Sequence, residues 1–134
     1  MDVIPQITEK EALTMNALSL AYVGDAVHTL YVREKLLQEG DKKIDSLHRL
    51  CSQQVKASSQ ARLAEALFDS MTEAEQSVYL RGRNSSSHHR AKNQSGADYR
   101  KATGFEAVLG YLYLTGQGER LRYFLEQQQS ECPR

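Results

Sequence analysis

Cysteine is nearly missing from this 134-residue chain: only Cys51 and Cys132 occur. They form no CxxC pair, which argues against a disulfide framework or a zinc site and suits a reducing cytoplasm. Proline is limited to two residues and glycine to eight, so long loops and β-rich architectures, which lean on both, are disfavoured. No run of about 18 apolar residues exists, so no membrane span is expected. Residues 1–10 hold acids and Pro5 but no apolar core, and do not read as a signal peptide. Net charge is absent too, because 17 basic and 17 acidic residues cancel. The overall basicity of a general nucleic-acid binder is therefore excluded. The length suits one compact domain over 1–134, with a frayed tail at about 130–134.

The charge is unevenly placed. Six basic residues (Arg81, Arg83, Arg90, Lys92, Arg100 and Lys101) stand in one stretch against a single acid, Asp98. That stretch carries +5 and leaves −5 on the rest of the neutral chain. His88 and His89 lie within it and add charge at mildly acidic pH. A solvated basic loop would also show this pattern.

Apolar spacing predicts an all-α fold of about six helices. Residues 16–38 read as a long helix that is apolar on most sides, hence packed centrally by neighbours or by a partner chain. Gly40 fits its stop. Asp45 is read as the N-cap of a helix with Leu47, Leu50 and Cys51 inside, and Ser58 or Ser59 as the cap of the next, with Leu63, Ala64, Leu67 and Phe68 inside. Thr72 and Glu75 form a capping-box pattern that opens a helix fading near Asn84. Residues 85–96 are polar and turn-rich, so an exposed loop is expected. A second long helix spans about 98–114, Gly116 and Gly118 make a turn, and a final amphipathic helix covers 119–129.

Two carboxylates stand out by position. Asp25 and Glu106 each lie in the middle of a long apolar helix, where an ionised carboxylate is costly unless paired or bound to a metal. Small residues surround both: Ala21, Gly24 and Ala26 near the first, Ala102, Gly104, Ala107 and Gly110 near the second. Small residues let helix backbones approach closely, so the two acids can converge into the oxygen-rich site that magnesium prefers. A cation held by two carboxylates keeps sites for phosphate oxygens and water, the needs of phosphodiester hydrolysis. Each acid can instead pair with a buried Arg, Lys or Tyr, or point to solvent, and spacing does not choose between these. Other tempting residues have plainer readings. His48 is expected at the surface, and His88-His89 lacks an acid or cysteine at metal-ligand spacing. Cys51 reads as a small buried apolar residue, and the seven tyrosines as core or interface.

The segment Leu20-Ala21-Tyr22-Val23-Gly24-Asp25-Ala26-Val27 resembles the signature of ribonuclease III catalytic domains. Phe105-Glu106-Ala107-Val108-Leu109-Gly110-Tyr111-Leu112-Tyr113 resembles their second acidic motif. With Arg81-Gly82-Arg83-Asn84 and Tyr111-Leu112-Tyr113-Leu114-Thr115-Gly116, the spelling is closest to the Mini-ribonuclease III branch, over about residues 13–127. The resemblance implies an all-α ribonuclease III domain acting as a homodimer on double-stranded RNA, with Asp25 and Glu106 as catalytic, metal-binding acids. It implies Mg2+ as cofactor, with Mn2+ as a substitute, and puts Tyr22 at the dimer interface. The implied substrate is precursor 23S ribosomal RNA in the cytoplasm, presented with help from a ribosomal protein. It also gives the basic stretch a role, with Arg81, Arg83, Arg90, Lys92 and Lys101 lining the RNA path.

The wider ribonuclease III pattern has two further acids, and here Ala21 and Thr103 stand in their places. Those departures bear on metal number, and they leave open a catalytically silent duplex-RNA-binding or assembly factor. A helical homodimer that binds protein partners would explain the apolar helices and neutral charge, but not two acids among small residues at helix centres.

Overall fold

The computed structural model describes residues 6–85 and 96–130, with side chains as far as Gln127. They form seven α-helices and one 3-10 turn, with no strand among the described residues. In order these are α1 (Glu9–Thr14), α2 (Ala17–Gln38), α3 (Ile44–Val55), α4 (Ala57–Leu67), the turn Phe68–Ser70, α5 (Glu73–Ser85), α6 (Gly96–Leu114) and α7 (Gly118–Ser130). The fold is all-α, as the spacing of apolar residues predicts. No described helix is long and apolar enough to cross a membrane.

α6 is the central helix, packed by α2, α4, α5, α7 and α1. Every residue from 102 to 112 is buried except Glu106, which is half-buried. A helix with no polar face finds such a place because any other leaves apolar area in water. Two glycine crossings allow the close packing. A Cβ on Gly24 would lie 1.7 Å from the Glu106 carbonyl oxygen, and one on Gly110 would lie 1.9 Å from that of Leu20. α2 and α6 therefore touch backbone to backbone. On another side of α6, a Cβ on Gly104 would meet the Tyr79 carbonyl oxygen at 2.7 Å, so α5 also packs closely, though less closely than α2.

The ends are tied to this core. Asn16 caps α2 by accepting from Leu18 N at 2.8 Å. The Thr72–Glu75 capping box is present, with bonds of 2.9 and 3.1 Å. The buried Glu75 carboxylate also takes two bonds from Arg120, at 2.8 and 2.9 Å, which fastens α7 to the start of α5. Phe124 and Leu125 on α7 are buried in the main core, worth about 1.5–3 kcal/mol each. A smaller cluster of Val32, Leu36 and Cys51 joins the second half of α2 to α3.

Three local expectations are corrected. α3 starts after Lys43 without a side-chain cap, so Asp45 sits in its first turn, where a carboxylate favours the helix dipole. α4 starts after Lys56, also uncapped, so Ser58 and Ser59 are inside it. α1 is an additional helix, opened by a capping box between Thr8 and Glu11. The expected loop at 85–96 falls, but for its end residues, outside the described residues.

Candidate active site

The α2–α6 crossing decides where the two acids lie. Gly24 rests on the Glu106 carbonyl, and Asp25 is the next residue, so its side chain leaves α2 beside that of Glu106. The two carboxyls come within hydrogen-bonding reach. Their burial differs: Asp25 is exposed in the single chain, whereas Glu106 is largely enclosed. The expectation of two equally embedded acids holds only for Glu106, because α2 presents one flank to solvent.

Glu106 is pushed up to about 8, chiefly by burial. A hydrogen bond from Gln60 acts in the opposite direction, while the charge of Asp25 and a hydrogen bond with its carboxyl add to the rise. With its carboxyl raised this far, Glu106 keeps its proton near neutral pH unless a cation replaces it.

Among the described residues, no such cation comes from the chain. The described ion pairs are Lys42–Glu39, Lys101–Glu65 and Arg120–Glu75, and none involves Asp25 or Glu106. The alternative in which each acid pairs with a buried base is therefore not what the described residues form. No group of three or more His, Cys, Asp or Glu side chains gathers among them. The donor set is two carboxylates beside an amide. It fits a hard, mostly hydrated ion such as Mg2+ and lacks the imidazoles or thiolates of a zinc site. Ala21 and Thr103 are both buried, and the Thr103 hydroxyl donates to the Tyr99 carbonyl at 3.0 Å.

The basic candidates separate. Arg81 is half-buried and donates to the carbonyls of Leu13, at 2.9 Å, and Met15, holding the link between α1 and α2. Lys101 pairs with Glu65 at 2.7 Å. Arg83 bonds only weakly to Asn84, at 3.4 Å. Arg83 and Lys101 both act on the Tyr79 phenol, so the two charges lie near one another. Burial is the larger influence on Tyr79 and raises its pKa against them. Arg90 and Lys92 lie outside the described residues, as do His88 and His89. Tyr22 is 83% exposed, with Leu18 and Leu30 also exposed on α2. His48 is exposed and Cys51 buried.

Gln60 is the residue that the motif reading passed over. It lies on the buried face of α4 at helical spacing from Ala57, Ala61 and Ala64. The signal was a polar residue inside an apolar stripe, whose partner Glu106 is far away in sequence.

Residues 18–117 match the family model described as "Ribonuclease III domain". The chain is 46% identical over 114 residues to a Mini-ribonuclease 3 of Symbiobacterium thermophilum, covering 85% of this chain and 88% of that one. It is 48% identical over 109 residues to a Mini-ribonuclease 3 of Enterococcus faecalis, covering 80% and 83%. A solved structure of a protein from Fusobacterium nucleatum superposes with a TM-score of 0.77 at 26% identity, covering 84% of this chain and 90% of that one.

Proposed function

Because the chain belongs to the ribonuclease III family, on its Mini-ribonuclease 3 branch, we propose that this ribonuclease is a Mg2+-dependent endonuclease that cuts double-stranded RNA as a homodimer. The observation that supports it best is the Asp25–Glu106 carboxyl pair, set at a backbone-to-backbone helix crossing and without a basic partner among the described residues.

Asp25 and Glu106 would hold the divalent ion, Mg2+ or Mn2+, and Glu106 would do so as the carboxylate rather than as the protonated acid. When bound, the ion supplies a positive charge that steadies the scissile phosphate and lowers the pKa of water. Asp25, on the open flank, faces the side from which a duplex arrives. Arg83 and Lys101, with Arg90 and Lys92, attract the phosphate backbone. Arg81 reaches RNA only if it leaves the carbonyls of Leu13 and Met15, so its part is mainly structural. Tyr22, Leu18 and Leu30 form the surface at which two chains meet. The substrate carried over from the family resemblance is precursor 23S ribosomal RNA near its ends, in the cytoplasm, with a ribosomal protein as helper.

The test is cleavage of end-labelled duplex RNA with Mg2+, with EDTA, and by Glu106→Gln, using duplex DNA and single-stranded RNA as controls. Mg2+-dependent cutting of duplex RNA alone, lost in the variant, is the expected result. Binding without cutting by the unaltered chain would replace the enzyme with a silent duplex-RNA-binding factor and point to Ala21 and Thr103. Neither binding nor cutting would overturn both readings.

A further inference from the structure

We propose that Gln60 is a positioning residue for Glu106, clamping one carboxylate oxygen so that the other is presented toward Asp25 and the metal. The inference rests on the enzymatic reading above and adds a residue to it. Gln60 is 2% exposed on α4. Its Nε2 donates to the Val55 carbonyl at 2.7 Å and to Glu106 Oε2 at 3.1 Å. Both amide hydrogens are therefore engaged.

The Val55 bond sets the direction of the amide. A flipped side chain would turn Oε1 toward two acceptors, the Val55 carbonyl and the Glu106 carboxylate, and lose both bonds. The donor end is thus held against Glu106. A donor there favours the carboxylate that a metal requires, whereas an acceptor would favour the protonated acid. Val55 ends α3 and Gln60 lies in the second turn of α4, so the α3–α4 junction is coupled to an acid on α6.

The amide has a second unusual feature. Gln60 Oε1 is buried and has no hydrogen-bond partner among the described residues. A buried amide oxygen without a partner is costly, on the order of 1–3 kcal/mol. Apolar neighbours surround Gln60 on its own helix face, and a purely structural side chain there would be cheaper as Leu or Met. The polar group is accounted for by what its nitrogen does for Glu106. Where the wider ribonuclease III pattern supplies extra acids, this chain has Ala21 and Thr103, so a fixed orientation of the remaining acids matters more.

The test compares Gln60→Met, which keeps the length, and Gln60→Asn, whose shorter amide cannot span both acceptors. Mg2+ binding to the RNA-free protein is read by calorimetry, thermal unfolding checks the fold, and duplex RNA cleavage is measured across Mg2+ concentrations. Both variants are expected to fold, bind Mg2+ about 10- to 100-fold more weakly, and lose kcat by a similar factor while KM for RNA stays within about twofold. Unchanged Mg2+ binding and kcat in either folded variant overturns the proposal. So does failure of both variants to fold, which makes Gln60 a structural residue. If the unaltered protein does not cut RNA, the enzymatic reading falls, and the calorimetric comparison still decides whether Gln60 prepares Glu106 for a cation.

Discussion

Gly24 and Glu106 are in backbone contact: a Cβ on the glycine would sit 1.7 Å from the Glu106 carbonyl oxygen. The same contact closes the core and carries Asp25 to the side of the Glu106 carboxyl. Fold stability and site geometry therefore share one structural cause, and a substitution at the crossing acts on both.

Gly24→Ala and Gly110→Ala are each expected to lower stability by at least ~3 kcal/mol, since the new methyl group overlaps backbone that cannot rotate away. Gly118→Ala is the control, because a Cβ there meets nothing within 4 Å. Its effect should stay within about 0.5 kcal/mol. Urea unfolding of the three variants checks this. Equal midpoints for Gly24→Ala and Gly118→Ala would show that the helices are not in backbone contact.

The metal-free protein should lose stability between mildly acidic and mildly alkaline pH. Glu106 has an ordinary carboxyl pKa of 4.5 when unfolded and about 8 when folded. Within that window the native state keeps a proton that the unfolded state has released, so stability falls as pH rises and levels off above about 8. The contribution is on the order of a few kcal/mol. Glu106→Gln should flatten this slope and be more stable than the unaltered chain at pH 8 in EDTA. Mg2+ should restore stability to the unaltered chain and not to the variant. Denaturation curves at pH 5.5 and 8, with EDTA or Mg2+, read all three effects. An identical slope in Glu106→Gln would remove Glu106 as the titrating group.

Much of this was legible in the chain itself, and the exceptions have physical reasons. α2 and α6 were readable because they are apolar on most sides and bear small residues around one acid each. The Thr72–Glu75 box was readable because both partners are local. α1 is not legible in the same way, although Thr8 and Glu11 have the same spacing, because six residues with only Ala12 buried show little apolar periodicity. The starts of α3 and α4 lie earlier than the capping pattern suggests, because Lys43 and Lys56 make no side-chain cap. Gln60 and the Glu75–Arg120 pair depend on contacts between distant segments, which no local pattern encodes. The exposure of Asp25 depends on which flank of α2 the other helices cover.

Tyr22 tests the proposed dimer. A tyrosine 83% exposed beside Leu18 and Leu30 leaves an apolar strip in water, which a second chain would cover. Tyr22→Asp should give a monomer by sedimentation with unchanged helical content, because the side chain has little to lose within its own chain. If the variant sediments like the unaltered protein, and that protein is a dimer, Tyr22 lies outside the interface.

Arg81 and Arg83 are two residues apart on α5, and their surroundings predict opposite effects. Removing Arg81 leaves the carbonyls of Leu13 and Met15 without their side-chain donor, at a cost of about 1–3 kcal/mol. Among the described residues Arg83 makes one long bond, to Asn84, so Arg83→Ala should change stability by no more than about 0.5 kcal/mol. Duplex RNA binding should show the reverse. In a Glu106→Gln background that prevents cutting, Arg83→Ala should weaken binding and reduce the salt dependence by about one counterion, whereas Arg81→Ala should leave that slope unchanged. Filter binding at several salt concentrations, alongside urea unfolding, separates the two roles. A lowered salt slope for Arg81→Ala would mean that its guanidinium leaves the α1–α2 link to meet RNA. An unchanged slope for Arg83→Ala would move the RNA path away from this end of α5.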